Sequence, residues 1–584
     1  MMADAPEIPE DWTEPERWVW ERIAAGEPAD LNARDREHDA DFKDLDPGKA
    51  AGWTEQRRLR VRFLQTILTQ QAYAEATPHG GVRILGALVD DAPLDLEYAR
   101  LQRLFWLEQS RVLVDVKGRN LRIDGALSLE ASFVAGGIDL RQSETRENLH
   151  LNLGKFHSDV DLGAASIGTN LVMNDSTFKE KINLNGATVN GSAVLSGGST
   201  FKGEVDLGAA SISSSLDLIG SIFEKRVSLN RVTVNGAAFL SGGAIFKAEV
   251  DLTGASIGSN LEMAGSTFEE RVKLYRATVN GSAFLSRGAT FNAQVNLMSA
   301  RIGSDLEFSD ANINDEVDLG GCQIAGMFLL GSSWQPAARW EVGAALVLRN
   351  THVGALQDWW RDESDNSWPK VLQLEGFTYD RLGSTLGDGE EADMMARPVA
   401  SYLQWLGRDP SSSPQRYEQL ARFFRQAGEP RKANDILYEA RERRRRRTLS
   451  TVDDHGKAKK RGWLEGMGLW MLRATVGYGL GRRYFRVLWW VGGLSLLGMA
   501  LLIDFGQHCL PGWPALFFAS LDQLLPIITL DKAHDALIFG NASANPPIEP
   551  QRDWLRYIFY FYKVIGWGLG SFIVAGLAGL TQRN

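Results

Sequence analysis

From Val160 the sequence repeats itself three times with a period of 45 residues. The units are VDLGAASIGTNLVMNDSTFKEKINLNGATVNGSAVLSGGSTFKGE from Val160, VDLGAASISSSLDLIGSIFEKRVSLNRVTVNGAAFLSGGAIFKAE from Val205 and VDLTGASIGSNLEMAGSTFEERVKLYRATVNGSAFLSRGATFNAQ from Val250, with a decaying fourth copy from Val295. A fixed period of this length confines the segment to a solenoid, whose units bury their apolar faces only against their neighbours. Inside each unit runs a shorter repeat of 11 residues, starting at Val160, Leu171, Ile182 and Ala193, the last lengthened by one residue. Its pattern, apolar-x-apolar-x-x-small-x-apolar, pairs apolar residues two apart, which is strand alternation. Gly, Asn, Asp and Ser mark the turns between short strands, so the expected solenoid is a β-helix and not an α-solenoid.

These units resemble pentapeptide-repeat proteins, whose unit A-(D/N)-L-x-x turns the Leu and the preceding small residue inward. The resemblance places Val160/Leu162, Ala165/Ile167, Leu171/Met173, Ser176/Phe178, Ile182/Leu184, Ala187/Val189 and Ala193/Leu195 in the core. The sequence departs from that family in alternating pentads with hexads and in placing Val, Leu or Ile at many inner positions. A cross-section wider and less regular than the family's square tube is expected. The same pattern recurs upstream at Val82, Leu94, Leu127 and Leu149 and downstream at Leu346 and Leu372. A mostly-β solenoid over 81–380 follows, with about 22 residues per coil and a length of roughly 60 Å at about 4.8 Å per coil. The 45-residue period then spans two coils.

Asp161, Asp206, Asp251 and Asn296 recur in register, as do the pairs Asn190-Gly191, Asn235-Gly236 and Asn280-Gly281. A cation ladder is one reading; solvent-facing strand residues and turn chemistry are the other, and the one favoured, because like charges two coils apart need no ion. No carboxylate pair stands out as a glycosidase site. The two cysteines, Cys322 and Cys509, offer neither a disulfide framework nor zinc-ligand spacing.

Residues 1–80 show helical apolar spacing with polar faces, as a cap over the first coil requires. The acidic start MMADAPEIPEDW lacks the apolar core of a secretory signal, which places the N-terminal part in the cytoplasm. Residues 381–447 read as a helical hairpin, with helices from about Pro414 and Arg431 around a Gly428-Glu429-Pro430 turn, similar to a single tetratricopeptide-like repeat. A basic juxtamembrane segment with an interfacial helix follows over 448–484. Arg441, Arg443, Arg444, Arg445, Arg446, Arg447, Lys457, Lys459, Lys460 and Arg461 are expected to meet anionic lipid headgroups. Apolar spans follow them at once, and the net charge of −10 speaks against nucleic acid as the partner.

Residues 485–584 read as a two-span membrane module, with spans Phe485–Ile503 and Trp554–Leu580. The basic block puts both termini inside. Between the spans, Trp513–Asp531 is too polar at its centre for a third span; Pro514 opens a helix and Pro526 ends it. A short helix followed by an extended piece is the layout of a re-entrant loop, 513–531, and resembles two-helix ion channels of the potassium-channel type. That resemblance makes Asp522, Gln523, Ile527, Ile528, Thr529 and Leu530 the candidate pore lining. The other reading of this segment is an amphipathic helix resting on the outer membrane surface. Thr475-Val476-Gly477-Tyr478-Gly479 spells the potassium-filter motif, but no pore helix and outer span precede it, so it reads as the end of an interfacial helix.

Taken whole, the chain resembles a group of bacterial proteins labelled "membrane-associated oxidoreductase", through AAGEPADLNAR, PHGGVRILGALVDDAPLDLEYARL, the repeats and SLDQLLPIITLD. No Gly-rich dinucleotide turn joins a strand to a helix and no flavin or haem motif appears, so no catalytic, cofactor or metal residues are expected. The resemblance implies a multi-pass protein of the bacterial inner membrane. Its cytoplasmic β-helix senses or scaffolds an unidentified protein or ligand, and its homo-oligomeric membrane module conducts ions. The alternatives are a non-conducting membrane-anchored scaffold and an oxidoreductase.

Overall fold

The computed structural model describes residues 6–38, 45–332, 335–383, 394–411, 413–450, 460–479, 483, 485–506, 512–525, 530–543 and 547–581. They divide into two compact units, Met1–Arg416 and Tyr417–Asn584.

The first unit is a parallel β-solenoid with four two-residue strands per coil. In one coil these are Val160–Asp161, Ser166–Ile167, Leu171–Val172 and Thr177–Phe178. The coil closes when Val160 pairs in parallel with Ile182, and two coil faces carry 12 and 13 strands. Thirteen strands at about 4.8 Å make a rod of roughly 60 Å. Every core residue expected from Val160 to Leu195 is buried. Within the repeats the irregularity falls at one corner: Thr177 pairs with Thr200, a 23-residue coil, and the extra residue is absorbed at Gly197-Gly198, where φ is +73° and +79°; beyond the repeats the coils lengthen, as where Gln323 pairs with His352. A 22-residue and a 23-residue coil together make the 45-residue period.

The corners have a second rule. Tyr98, Gln109, Asn120, Ala131, Gln142, Leu153, Ala164 and Asp175, each 11 residues from the last, all have φ between +48° and +60°. Two corners of each coil therefore use the left-handed region, which costs a non-glycine residue about 1–2 kcal/mol. Two internal ladders offset this. Phe156, Phe178, Phe201, Phe223, Phe246, Phe268 and Phe291 stack ring on ring at 4.7–5.3 Å, with interplanar angles of 7° or less. Beside them, buried serines link coils: Ser110 N–H donates to Ser132 Oγ, Gly154 N–H to Ser176 Oγ and Ser176 N–H to Ser199 Oγ, at 3.0–3.1 Å.

At the N-terminal end lie helices α1 (Glu14–Ala24), α2 (Leu31–His38), α3 (Val61–Thr69) and α4 (Gln71–Ala76). The first is closed by a capping box between Thr13 and Glu16. The segment is not wholly helical, as the sequence suggests. Strand β1 (Ala29–Asp30) pairs in parallel with β2 (Val82–Leu85) and so covers the first edge of that sheet with the chain's own backbone. At the other end α5 (Val399–Gly407) stacks Trp405 on Trp368 at 4.9 Å. Beneath it a buried Asp358 carboxylate pairs with Arg397 at 2.5 Å and accepts from the Trp368 indole.

In the second unit α6 (Gln415–Gln426) and α7 (Pro430–Ser450) are joined by a turn at Gly428, where φ is +80°, while α5, within the range read as a hairpin, belongs to the first unit. There follow α8 (Lys460–Val476), α9 (Arg486–Phe505), α10 (Trp513–Leu524), α11 (Lys532–Phe539) and α12 (Asp553–Thr581). Two helices, α9 and α12 over Asp553–Val574, are long and apolar enough to cross a membrane.

Candidate functional site

The C-terminal module is built around the short helix α10, which packs against both α9 and α12. Glycine makes this approach possible on each side. A Cβ at Gly498 of α9 would sit 2.0 Å from Ser520 Oγ, and one at Gly566 of α12 would sit 2.3 Å from the Leu524 carbonyl oxygen. Leu502, Leu516, Leu524, Ile538, Leu555, Phe559 and Tyr562 fill the space between the helices. The outward faces are as apolar as the interior: Trp489, Phe518, Tyr557, Phe561, Val564 and Trp567 are exposed, Trp489 at 84%. A surface of this kind marks contact with lipid or with another chain.

Polar side chains gather at the end of α10. The Asp522 carboxylate accepts from the Leu530 N–H at 2.8 Å and the Asp531 N–H at 3.3 Å, and lies 3.2 Å from His534 Nδ1. Gln523 Nε2 donates to Asp535 Oδ1 at 2.8 Å, and Lys563 of α12 donates to the same oxygen at 3.3 Å. Asp531 caps α11 by accepting from the Ala533 N–H. Of the six candidate lining residues, Asp522 and Gln523 are therefore buried and turned inward, and Leu530 is about half exposed with its N–H on Asp522. Ile527, Ile528 and Thr529 lie outside the described residues. Pro514 stands in the first turn of α10 as expected. Nothing in the sequence reading marked α11, whose Asp535 and His534 complete the cluster.

The basic block is organised around one carboxylate. Glu442, 3% exposed, takes Arg445 at 2.6 Å, Arg473 at 3.3 Å and Arg446 at 3.4 Å, and accepts from the Tyr478 hydroxyl at 3.1 Å. The Arg445 hydrogen bond first, then Tyr478 and Arg473, outweigh burial and hold this carboxyl down to about 2. Arg441 donates to the Tyr478 carbonyl, and Arg443 bonds Glu439 and the Tyr417 hydroxyl. Arg444 and Arg446 remain exposed. Arg447 lies in α7 and Lys460 and Arg461 in the first turn of α8, their side chains outside the described residues, as are Lys457 and Lys459 entirely. The filter-like pentad ends α8: Val476 and Tyr478 are buried, and Tyr478 adopts φ +60°. It is a turn that grips Glu442.

On the solenoid, the in-register polar residues close turns. Asp161, Asp206, Asp251, Asn296 and Asp318 each accept from the N–H two residues on, at 2.8–3.0 Å. Asn183, Ser228 and Lys273 lie between the first four of them on that face, and among the described residues no group of three His, Cys, Asp or Glu side chains is placed to hold a metal ion. Burial pushes the Cys322 thiol up to about 12. Cys509 lies outside the described residues. Compared with known protein families, curated proteins and solved structures, the chain matches none.

Proposed function

We propose that the chain is an integral membrane protein in which α9 and α12 cross the bilayer, α10 forms the helical half of a re-entrant pore loop, and the β-solenoid is a cytoplasmic surface for a partner. The observation that carries this reading is α10 itself. A helix resting on the outer surface would leave one side free of the spans. Here it is wedged between both through Gly498 and Gly566, and Asp522 at its end accepts from the backbone N–H of Leu530. Backbone that turns at membrane depth must be satisfied by the protein, and Asp522 supplies that. The arginine-rich α7 side lies in the cytoplasm, and so do both termini. The bacterial inner membrane and the homo-oligomer are inherited from the resemblances, and a pore of this layout needs several copies around one axis. In the solenoid unit the open cleft of about 840 Å³ between Trp359–Glu363 and Ala396–Gln404 suits the cytoplasmic ligand. The α1–α4 segment caps the rod.

Reconstitution of the full chain into planar bilayers tests conduction. Unitary currents that change in Asp522→Ala, where the loop return is released, support it. Silence at high protein load refutes it. One observation favours a non-conducting anchor: Asp522 and Gln523 face into the protomer, while the exposed residues of α10 are Trp513, Pro514 and Phe518. Under that reading the vesicle-bound protein remains silent and Asp522→Ala changes only its stability.

A further inference from the structure

We infer that the outer face of α9 is a binding site for one anionic phospholipid, with the headgroup on Arg486 and an acyl chain in the groove below it. The inference rests on the membrane reading above. Arg486, Trp489, Trp490, Gly493 and Leu497 stand three and four residues apart, and so share one stripe of the helix. Trp489, Trp490, Gly493, Leu494 and Leu497 line an open groove of about 320 Å³. The groove exists because position 493 is glycine: a Cβ there would meet nothing within 4 Å. Its two walls are indoles. Trp489 stands 84% exposed, whereas Trp490 is fixed by donating its Nε1–H to the Ala474 carbonyl at 2.8 Å.

At the cytoplasmic end of the stripe, Arg486 is exposed and makes no ion pair among the described residues. It donates a 3.4 Å hydrogen bond to the Arg473 carbonyl. It differs in this from Arg445 and Arg473, both held by Glu442. An unneutralised guanidinium capping an apolar groove, with tryptophans at the interface level, complements an amphiphile with a phosphate head. A second copy of this chain would instead have to bring a carboxylate to Arg486 at the membrane surface. The one acid exposed on α9, Asp504, lies at the opposite end of the helix from Arg486, and the described outward residues of α12 from Tyr557 to Val574 include none.

Native mass spectrometry of the full chain in detergent, titrated with phosphatidylglycerol, phosphatidylcholine or inorganic phosphate, tests the site. Phosphatidylglycerol is expected to fill one site roughly fivefold more tightly than phosphatidylcholine, the worth of one arginine near an anionic surface. Arg486→Gln should abolish that preference, and Gly493→Phe should weaken both lipids by filling the groove. Leu496→Phe, exposed on α9 but outside the groove, should change neither, and inorganic phosphate should not compete. Equal binding of the two lipids, an unchanged preference in Arg486→Gln, or competition by phosphate alone overturns the inference. So does a Gly493→Phe protein that changes its subunit count while keeping its lipid. A parallel vesicle flotation separates the two proposals: a chain that does not float fails the membrane reading, while one that floats without lipid preference fails only this site.

Discussion

The stacked phenylalanines give the solenoid its sharpest quantitative test. Phe223 is 1% exposed and lies between Phe201 at 4.7 Å and Phe246 at 4.9 Å, with rings within 5° of parallel. Truncating a buried phenylalanine to alanine costs about 3–5 kcal/mol, because the cavity is not refilled by rigid neighbours. Phe223→Leu keeps most of the volume and removes two ring contacts, at about 0.5–1.5 kcal/mol each, so its cost is about 1–3 kcal/mol. Hydrogen exchange of the full-length protein reads these as local opening energies, and each 1.4 kcal/mol is about tenfold in rate. Amides in the coils of Phe201, Phe223 and Phe246 should exchange about a thousandfold faster in Phe223→Ala, and about five- to a hundredfold faster in Phe223→Leu. Since each coil touches only its neighbours, the first coils near Leu94 should be nearly unchanged. The argument fails if Phe223→Ala accelerates exchange by less than tenfold, or if the acceleration is uniform along the rod.

Three further outcomes follow from single positions. Glu442 is depressed to about 2 from an ordinary 4.5, so the stability it lends is full above about pH 4.5 and is lost as pH falls toward 2. Proteolysis at the α7–α8 junction should rise over that window in the parent and be high and flat in Glu442→Gln. Ala164→Gly should stabilise the solenoid by about 1 kcal/mol, because Ala164 sits at φ +54° where glycine is unstrained; a lowered urea midpoint would contradict this. Gly566→Ala should unseat α10, since its Cβ meets the Leu524 carbonyl at 2.3 Å, while Gly568→Ala meets nothing and should be neutral or stabilising. Thermal melts in detergent distinguish the two.

The solenoid was legible because its signal is two-fold redundant: apolar residues alternate within each strand, and the alternation recurs every 11 residues. Val160 and Leu162, and Leu171 and Met173, are buried pairs two residues apart, which a helix would turn to opposite faces. The left-handed corners were illegible because their residue types carry no mark of them. Ala131, Leu153 and Ala164 hold positive φ only because strands on both sides, paired above and below, leave no other way round the corner. Strand β1 was hidden for a related reason: Ala29-Asp30 has no periodicity of its own and is a strand only because Val82–Leu85 offers an open edge.

In the second unit, composition located the helices but not the partners of their charges. A run such as Arg441–Arg447 predicts an anionic neighbour without naming it, and a headgroup was the natural choice beside a span. The decisive residue is the single acid inside the run. Glu442 is buried by the turn at Tyr478, and a buried carboxylate without its cations would be far costlier than an exposed arginine without its lipid. Arg445 and Arg473 are therefore drawn to Glu442 first, with Arg446 at its edge, so the run is organised from within before any outside anion is met. Arg444 and Arg446 are exposed on α7, and Arg486 lies on the far side of the turn. The same logic separates Asp522 from a pore wall. A carboxylate already answered by two backbone N–H groups and His534 is committed to holding the start of the segment at Leu530 and Asp531, and has no lone pair turned to an open surface.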